Sequence, residues 1–378
     1  MGGPLAGLRV VEVASLAPAP FGCMILADLG ADVLLVNRAG GAAGLSTPPG
    51  VLDRGRRSIA LNLKDPAGVA VLKQLVAEAD VFVEGFRPGV TERLGLGPAD
   101  LEAVNPRLIY ARMTGWGQDG PFAQRAGHDI NYISIAGVLE QIGRASAPPT
   151  PPLNLVGDFG GGGLLMVMGI LAALHERTNS GRGQVVDAAM VDGAGLLMSM
   201  MYGLRAQGLW QDQRASNMFD GSAPFYECYE TSDGKFMAVG GVEPQFFAEM
   251  LQRLGLADEE LPFHLDPTGW VALKERLASV FLTKTRDEWA ELFFDSDACV
   301  TPVLSPWEAH EHPANAARGS FVEVDGLIQP APAPRFSRTP AAAPVPLDHG
   351  GRDLEAALVG WGIGADEAAK LVANEVVT

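Results

Sequence analysis

Short runs rich in β-branched residues recur along the first half of the chain, at Leu8 to Val13, Ala31 to Val36, Ser58 to Leu63, Val81 to Glu84 and Leu108 to Met113. Between them lie helical stretches: Pro20 to Leu29 opens with proline, and Pro66 to Ala79 follows Asp65. Strands that alternate with helices pair in parallel, because each crossover helix carries the chain back across one face of the sheet. The expected fold class is therefore α/β, a large domain with a helix-covered, Rossmann-like parallel sheet. Ligands of such sheets bind beyond the carboxyl ends of the strands. Arg38 follows the second run there, and Glu84-Gly85-Phe86-Arg87-Pro88-Gly89 follows the fourth. The first turn reads Ala14-Ser15-Leu16-Ala17-Pro18-Ala19-Pro20 and lacks Gly-x-Gly-x-x-Gly, which disfavours a dinucleotide site; no Walker-type loop exists either.

Beyond a glycine run at Gly160 to Gly163, Leu164 to Arg177 reads as a helix, Gln184 to Ala188 as a strand, and Val191 to Gln207 as a further helix. The style then changes. Ala223 to Glu230 and Lys235 to Val239 flank Thr231-Ser232-Asp233-Gly234, a hairpin signal, and Gln245 to Leu254 is helical. The expected domains are a large domain over 1–190, a linker helix over 191–216, a small α+β domain over 217–306, a return linker over 307–334, and a segment over 335–378 packing back on the large domain. Prolines from Gln329 to His349 give an extended linker, followed by helical segments at Asp353 to Leu358 and Ala365 to Ala373.

The 378 residues carry a net charge of −17, which argues against a nucleic-acid surface. Cys23, Cys228 and Cys299 are odd in number and widely spaced, so they make neither a disulfide framework nor a zinc site, and a reducing cytoplasm is expected. No stretch reads as the ~20 apolar residues that span a bilayer, and no membrane association is expected. Local basic clusters survive the acidic background: Arg54, Arg56, Arg57 and Lys64, then Arg87 and Arg93. They suit a phosphorylated small ligand, or else a solvated surface.

Chemistry concentrates in two segments. Gly127-His128-Asp129-Ile130-Asn131-Tyr132 and Asn154-Leu155-Val156-Gly157-Asp158-Phe159 each put one titratable group in a glycine-bounded turn that leads toward a helix. A histidine titrates near neutrality and a desolvated aspartate can, so the two form a candidate base and acid; the alternative is that both cap helices. Met113, Met190, Met198, Met200 and Met201 suit either a core or a flexible apolar surface.

Asp28-Leu29-Gly30-Ala31-Asp32-Val33, Glu84 to Gly89, Gly115-Trp116-Gly117-Gln118-Asp119-Gly120-Pro121 and Gly181-Arg182-Gly183-Gln184-Val185-Val186-Asp187 resemble the family III CoA-transferases over about residues 5–375. Within that superfamily, Ala126-Gly127-His128-Asp129 and Gly241-Val242-Glu243-Pro244-Gln245 are most similar to the branch that racemises 2-methylacyl-CoA thioesters. The resemblance implies a homodimer of interlocked subunits with the active site at their interface, acyl-CoA as substrate, and no cofactor or metal, CoA being part of the substrate. It puts the CoA nucleotide against Arg38, Leu61, Asn62, Leu63, Lys64, Gly85, Phe86, Arg87 and Arg93, and the thioester along Gly127, Ile130, Asn131 and Tyr132. Met113, Met190 and Tyr226 would line the acyl pocket.

Inverting the centre beside a thioester carbonyl needs proton removal on one face and delivery on the other. His128 and Asp158 would be that pair, Asn154 would hold Asp158, Glu243 would orient His128, and the backbone N–H of Asp129 would face the enolate oxygen. On sequence alone Glu243 serves equally as a helix first-turn carboxylate. Two rivals remain: a CoA-transferase in which Asp158 attacks the thioester, and a non-catalytic acyl-CoA-binding protein.

Overall fold

The computed structural model describes residues 2–41, 50–348 and 354–378. Part of the expected loop over 39–53, together with His349 and Asp353, lies outside the described residues. Strands β1 (Arg9–Val13), β2 (Asp32–Arg38), β3 (Arg57–Leu61), β4 (Val81–Glu84), β5 (Ile109–Thr114) and β6 (Gln184–Ala189) form one sheet in the order β3-β2-β1-β4-β5-β6. Every neighbouring pair is parallel. All residues of β4 and β5 are buried, as strands covered on both faces must be. The strand order reverses between β1 and β4, where Ser15 and Gly85 meet: a Cβ on Gly85 would stand 2.7 Å from that of Ser15. A crevice at such a reversal is where open α/β sheets take ligands.

Helices α1 (Pro18–Asp28), α2 (Pro66–Ala77), α3 (Val90–Arg93), α4 (Pro98–Val104), α5 (Asp129–Ile135), α6 (Leu165–Ser180) and α7 (Met190–Leu197) clothe the sheet. On one face Val71, Leu72, Leu75 and Val76 of α2 pack with Leu101 of α4 and with Trp361. On the other, Cys23 and Leu26 of α1 pack with Tyr132 of α5 and with Met166 and Ile170 of α6. Each large apolar side chain so buried contributes roughly 1.5–3 kcal/mol. Local chemistry sets the ends. Asp65 accepts from the Ala67 N–H at 2.9 Å while Pro66 opens α2, and α6 stops at Gly181, whose φ of 74° suits only a residue without a Cβ.

Ahead of α6, residues Leu155–Leu164 form a π-helix that runs straight on into it. The combined helix Leu155–Ser180 is, among the described residues, long and apolar enough to cross a membrane by length and composition. That corrects the expectation that no such stretch exists. Its Met166, Val167, Ile170 and Ala173 are buried in the protein core.

The described residues fall into two compact units. One takes the chain up to Ala136, then Leu153–Leu197 and everything from Ala317 on; the other takes Gly137–Pro152 and Met198–Ala316. This division differs from the expected domains: 137–152 leave the first unit, 191–197 join it, and the expected linker over 307–334 is divided. The single helix expected over 191–207 is two, α7 and α8 (Ser199–Ala206). The linker also contains a hairpin, Phe321–Val324 with Leu327–Pro330.

The second unit holds an antiparallel sheet of β7 (Glu227–Glu230), β8 (Phe236–Val239) and β9 (Val300–Pro302). Helices α9 (Pro244–Leu254), α10 (Trp270–Phe281) and α11 (Arg286–Phe293) bury Met250, Leu277, Phe281 and Trp289 against it. The hairpin expected at Thr231 to Gly234 is present, with Gly234 at a φ of 71°.

Candidate active site

The segment after β5 is shaped around one ring. Trp116 meets Tyr132 edge to face at 4.8 Å, and a Cβ on Gly115 would lie 2.1 Å from the same ring, so only glycine fits there. The Tyr132 hydroxyl donates to the Gly127 carbonyl, which ties the approach to α5 onto α5 itself. His128 is then the N-cap of α5. Its backbone N–H donates to Asn131 Oδ1 at 3.0 Å, while its side chain makes no capping hydrogen bond and is exposed. The imidazole is thus free for chemistry rather than spent on a cap, and it is Asn131 whose side chain closes the helix start.

Asp129 is buried, and its carboxylate does more than sequence reasoning gave it. Oδ2 accepts from the N–H of Gly157 at 2.6 Å and from the N–H of Asp158 at 2.7 Å. The residue beside His128 therefore holds the backbone that carries Asp158. A Cβ on Gly157 would stand 2.7 Å from that oxygen.

Asp158 sits in the π-helix, not in the turn that its glycines suggested. Those glycines serve close packing: a Cβ on Gly193 of α7 would fall 1.9 Å from the Gly161 carbonyl oxygen, and one on Gly163 would fall 2.7 Å from the Pro18 carbonyl oxygen. Widened helical turns recur at functional sites because they displace one residue from the regular ladder.

Asn154 Nδ2 donates to Asp158 Oδ2 at 3.1 Å, the contact expected of it. Burial raises the Asp158 carboxyl above its ordinary value. The Asp129 charge adds to that rise, while the Asn154 hydrogen bond and the His128 charge oppose it. Tyr132 is pushed up to about 12, first by burial and then by the charge of Asp158, with Arg87 opposing. Arg87, Tyr132, Asp129, His128 and Asp158 therefore share one electrostatic neighbourhood.

The expected CoA residues gather at the carboxyl ends of neighbouring strands. Arg38 ends β2 and is exposed; Leu61 ends β3 with its side chain in the core and its carbonyl accepting from the Ala39 N–H at 3.2 Å. Asn62 Oδ1 accepts from the Lys64 N–H at 3.2 Å, and Leu63 packs partly on the core. The turn Gly85 to Arg87 is held by Glu84, which accepts from the Phe86 N–H at 2.7 Å and from Arg112 Nε at 2.9 Å. Arg93 ends α3.

The remaining cluster of arginines is structural, against the reading of it as a phosphate site. Arg54 forms a two-pronged pair with Asp28 at 2.6 and 3.0 Å, Arg56 is buried against Glu12, and Arg57 meets Asp32 at 2.7 Å. Met113 and Met190 are likewise core residues, 2% and 6% exposed, rather than a flexible acyl surface. Met190 backs the π-helix, its Cγ 2.9 Å from where a Gly162 Cβ would be.

In the second unit, Glu243 is the N-cap of α9, exposed and without a capping bond from its side chain. Tyr226 is 43% exposed and edge to face with Phe219 at 5.2 Å. Sequence reasoning missed Trp116, the Glu84–Arg112 support and the carboxylate of Asp129. The Gly-Trp-Gly spelling at 115–117 was a signal for the first; the other two depend on contacts remote in sequence. Among the described residues no cluster of His, Cys, Asp and Glu is grouped to hold a metal ion.

Comparison with known proteins agrees with this architecture. The sequence model of CoA-transferase family III matches residues 5–348. A mouse protein named alpha-methylacyl-CoA racemase is 50% identical over 99% of this chain and 97% of its own length, and the human protein of that name is 46% identical over the same shares. A solved CAIB/BAIF family protein from Brucella suis superimposes with a TM-score of 0.80 at 27% identity, covering 95% of this chain and all of that one.

Proposed function

Because the chain belongs to CoA-transferase family III, we propose that it is an isomerase that interconverts (2R)- and (2S)-2-methylacyl-CoA thioesters by moving one proton off and one onto the same carbon. The observation that carries this reading is the Asp158 carboxyl, raised by burial, held by Asn154 and sensing the charge of a histidine that no cap consumes. A carboxyl raised by burial holds its proton more tightly than a solvated one and is suited to give one away.

In one direction neutral His128 takes the proton beside the carbonyl and protonated Asp158 delivers another to the opposite face; in the other direction the roles exchange. The backbone N–H of Asp129, which the α5 ladder does not use, faces the enolate oxygen, and one such donor is worth about 3 kcal/mol. Asn154 fixes the carboxyl rotamer. Arg38, the 61–64 segment, Gly85 to Arg87 and Arg93 receive the CoA nucleotide. The reaction draws on the CoA thioester itself for acidity and needs no cofactor.

The site is completed in a homodimer. Supporting this, Leu164, Met168 and Leu171 on the long helix and Leu196 and Leu197 on α7 are exposed apolar side chains within the first unit, a pattern that marks a covered face.

A transferase would use an ionised Asp158 as nucleophile and would have no need of His128; the raised carboxyl and the relatives' names both weigh toward the racemase. Incubating the protein with one enantiomer of a 2-methylacyl-CoA in deuterated water decides. Deuterium at the α-carbon with loss of optical purity is expected. Its absence, with CoA exchanged between two acids, would establish the transferase instead.

A further inference from the structure

A groove of about 430 Å³, within the size range of small-ligand clefts, opens between the β3–α2 turn and the end of α3. Pro66, Val69 and Lys73 are spaced i, i+3 and i+7 and so share one face of α2, which forms a wall; Leu63, Lys64, Arg93 and Leu94 complete the lining. Three cations thus surround one cleft, and among the described residues no carboxylate lines it. Among the described residues none of the three is joined to an acid, in contrast to Arg54, Arg56 and Arg57, each of which has its own. Lys73 is half-buried in that wall, where a cation without an acid beside it favours an anion in the cleft.

The position of the groove selects which anion. Leu63, Val69 and Leu94 pack on the core on the α2 face of the sheet, whereas Tyr132 packs in the core of the opposite face. A CoA thioester that reacts beside Tyr132 and passes Arg87 reaches the α2 face only with its far end. That end carries a phosphate monoester, whose charge of about −1.5 to −2 matches several cations better than a singly charged diester does. Resting on the acyl-CoA reading above, we propose that Lys73, together with Lys64 and Arg93, grips the 3′-phosphate of the nucleotide, and that Lys73 is the residue by which the protein selects CoA over 3′-dephospho-CoA thioesters.

The test compares KM and kcat for a 2-methylacyl-CoA and its 3′-dephospho counterpart in wild type, K73M and K73R. K73M keeps the apolar stem on α2 while removing the charge. Wild type is expected to show a KM roughly tenfold lower for the phosphorylated ester, the size of one charge-assisted hydrogen bond. K73M is expected to lose most of that preference with kcat unchanged, Lys64 and Arg93 keeping the remainder, and K73R to keep it. A folded K73M that retains the full preference, or a wild type that turns over both esters equally, overturns the assignment while leaving the racemase reading intact. If wild type exchanges no α-proton at all, the racemase reading fails by itself, and equilibrium binding of adenosine 3′,5′-bisphosphate still decides the groove: binding that K73M loses supports the assignment, and no binding by wild type refutes it.

Discussion

Replacing Asp129 separates two jobs that one carboxylate does. In Asp129→Ala the N–H groups of Gly157 and Asp158 lose their acceptor at 2.6 and 2.7 Å, the first buried and the second half-buried. Each unsatisfied buried donor costs about 1–3 kcal/mol, so the folded state should lose roughly 2–6 kcal/mol. Part of that is relieved if the π-helix shifts, which moves Asp158; a displacement on the order of 1 Å lowers the rate of a positioned reaction about 100-fold. Asp129→Asn keeps one oxygen for the two donors and removes only the charge. Since that charge helps to raise the Asp158 carboxyl, the amide should lower it and shift the acid-dependent limb of the pH–rate profile to lower pH. Loss of α-proton exchange, measured across pH, and amide hydrogen exchange at residues 157 and 158 are the readouts. Alanine should expose both amides and cut the rate, and asparagine should protect both and move the profile. If the alanine variant keeps protected amides and a rate within twofold of wild type, the carboxylate does not hold Asp158 and the reasoning fails.

Five further outcomes are expected. Asp158→Asn should raise stability at neutral pH. A carboxyl raised by burial binds its proton more tightly folded than unfolded, so its stabilisation is full below the unfolded value and is lost as pH rises through the folded one; thermal melts at pH 4 and pH 7 should show the gain only at the higher pH. Gly193→Ala puts a methyl 1.9 Å from the Gly161 carbonyl oxygen, and forcing α7 from the π-helix should cost about 1–3 kcal/mol and lower kcat, checked by melting and turnover together. Arg56→Ala strands Glu12, fully buried, and should destabilise by roughly 3–5 kcal/mol, whereas Arg87→Met should raise KM for the thioester with little change in melting. His128→Ala should abolish racemisation, but under the transferase alternative would leave CoA exchange intact.

Much of the fold was legible because it rests on local patterns. Runs such as Val81 to Glu84 and Leu108 to Met113 can only be strands buried on both faces, and both formed within a residue of their expected bounds. Asp65-Pro66 announced α2, and Thr231 to Gly234 announced the hairpin. His128 at the start of a helix and Asn154 four residues before Asp158 also behaved as their spacing suggested. The failures have a common cause in distance along the chain. Arg54, Arg56 and Arg57 read as a phosphate site because Asp28, Glu12 and Asp32, their partners, lie in other strands and helices. The glycines around Asp158 read as a turn because their close partners, such as Gly193 against Gly161, lie elsewhere in the chain.

The sequence by itself determined the strands, the crossover helices, and the residue types that can pass a proton beside a thioester, since these follow from side-chain periodicity and intrinsic acidity. The π-helical register of Leu155–Leu164 was decided only by the folded chain. A run of glycines leaves the backbone free to choose between a turn, an α-helix and a wider helix. The choice comes from the buried Asp129 carboxylate gripping two amides from 28 and 29 residues away, and from helices packed so closely on the glycines that no side chain fits between.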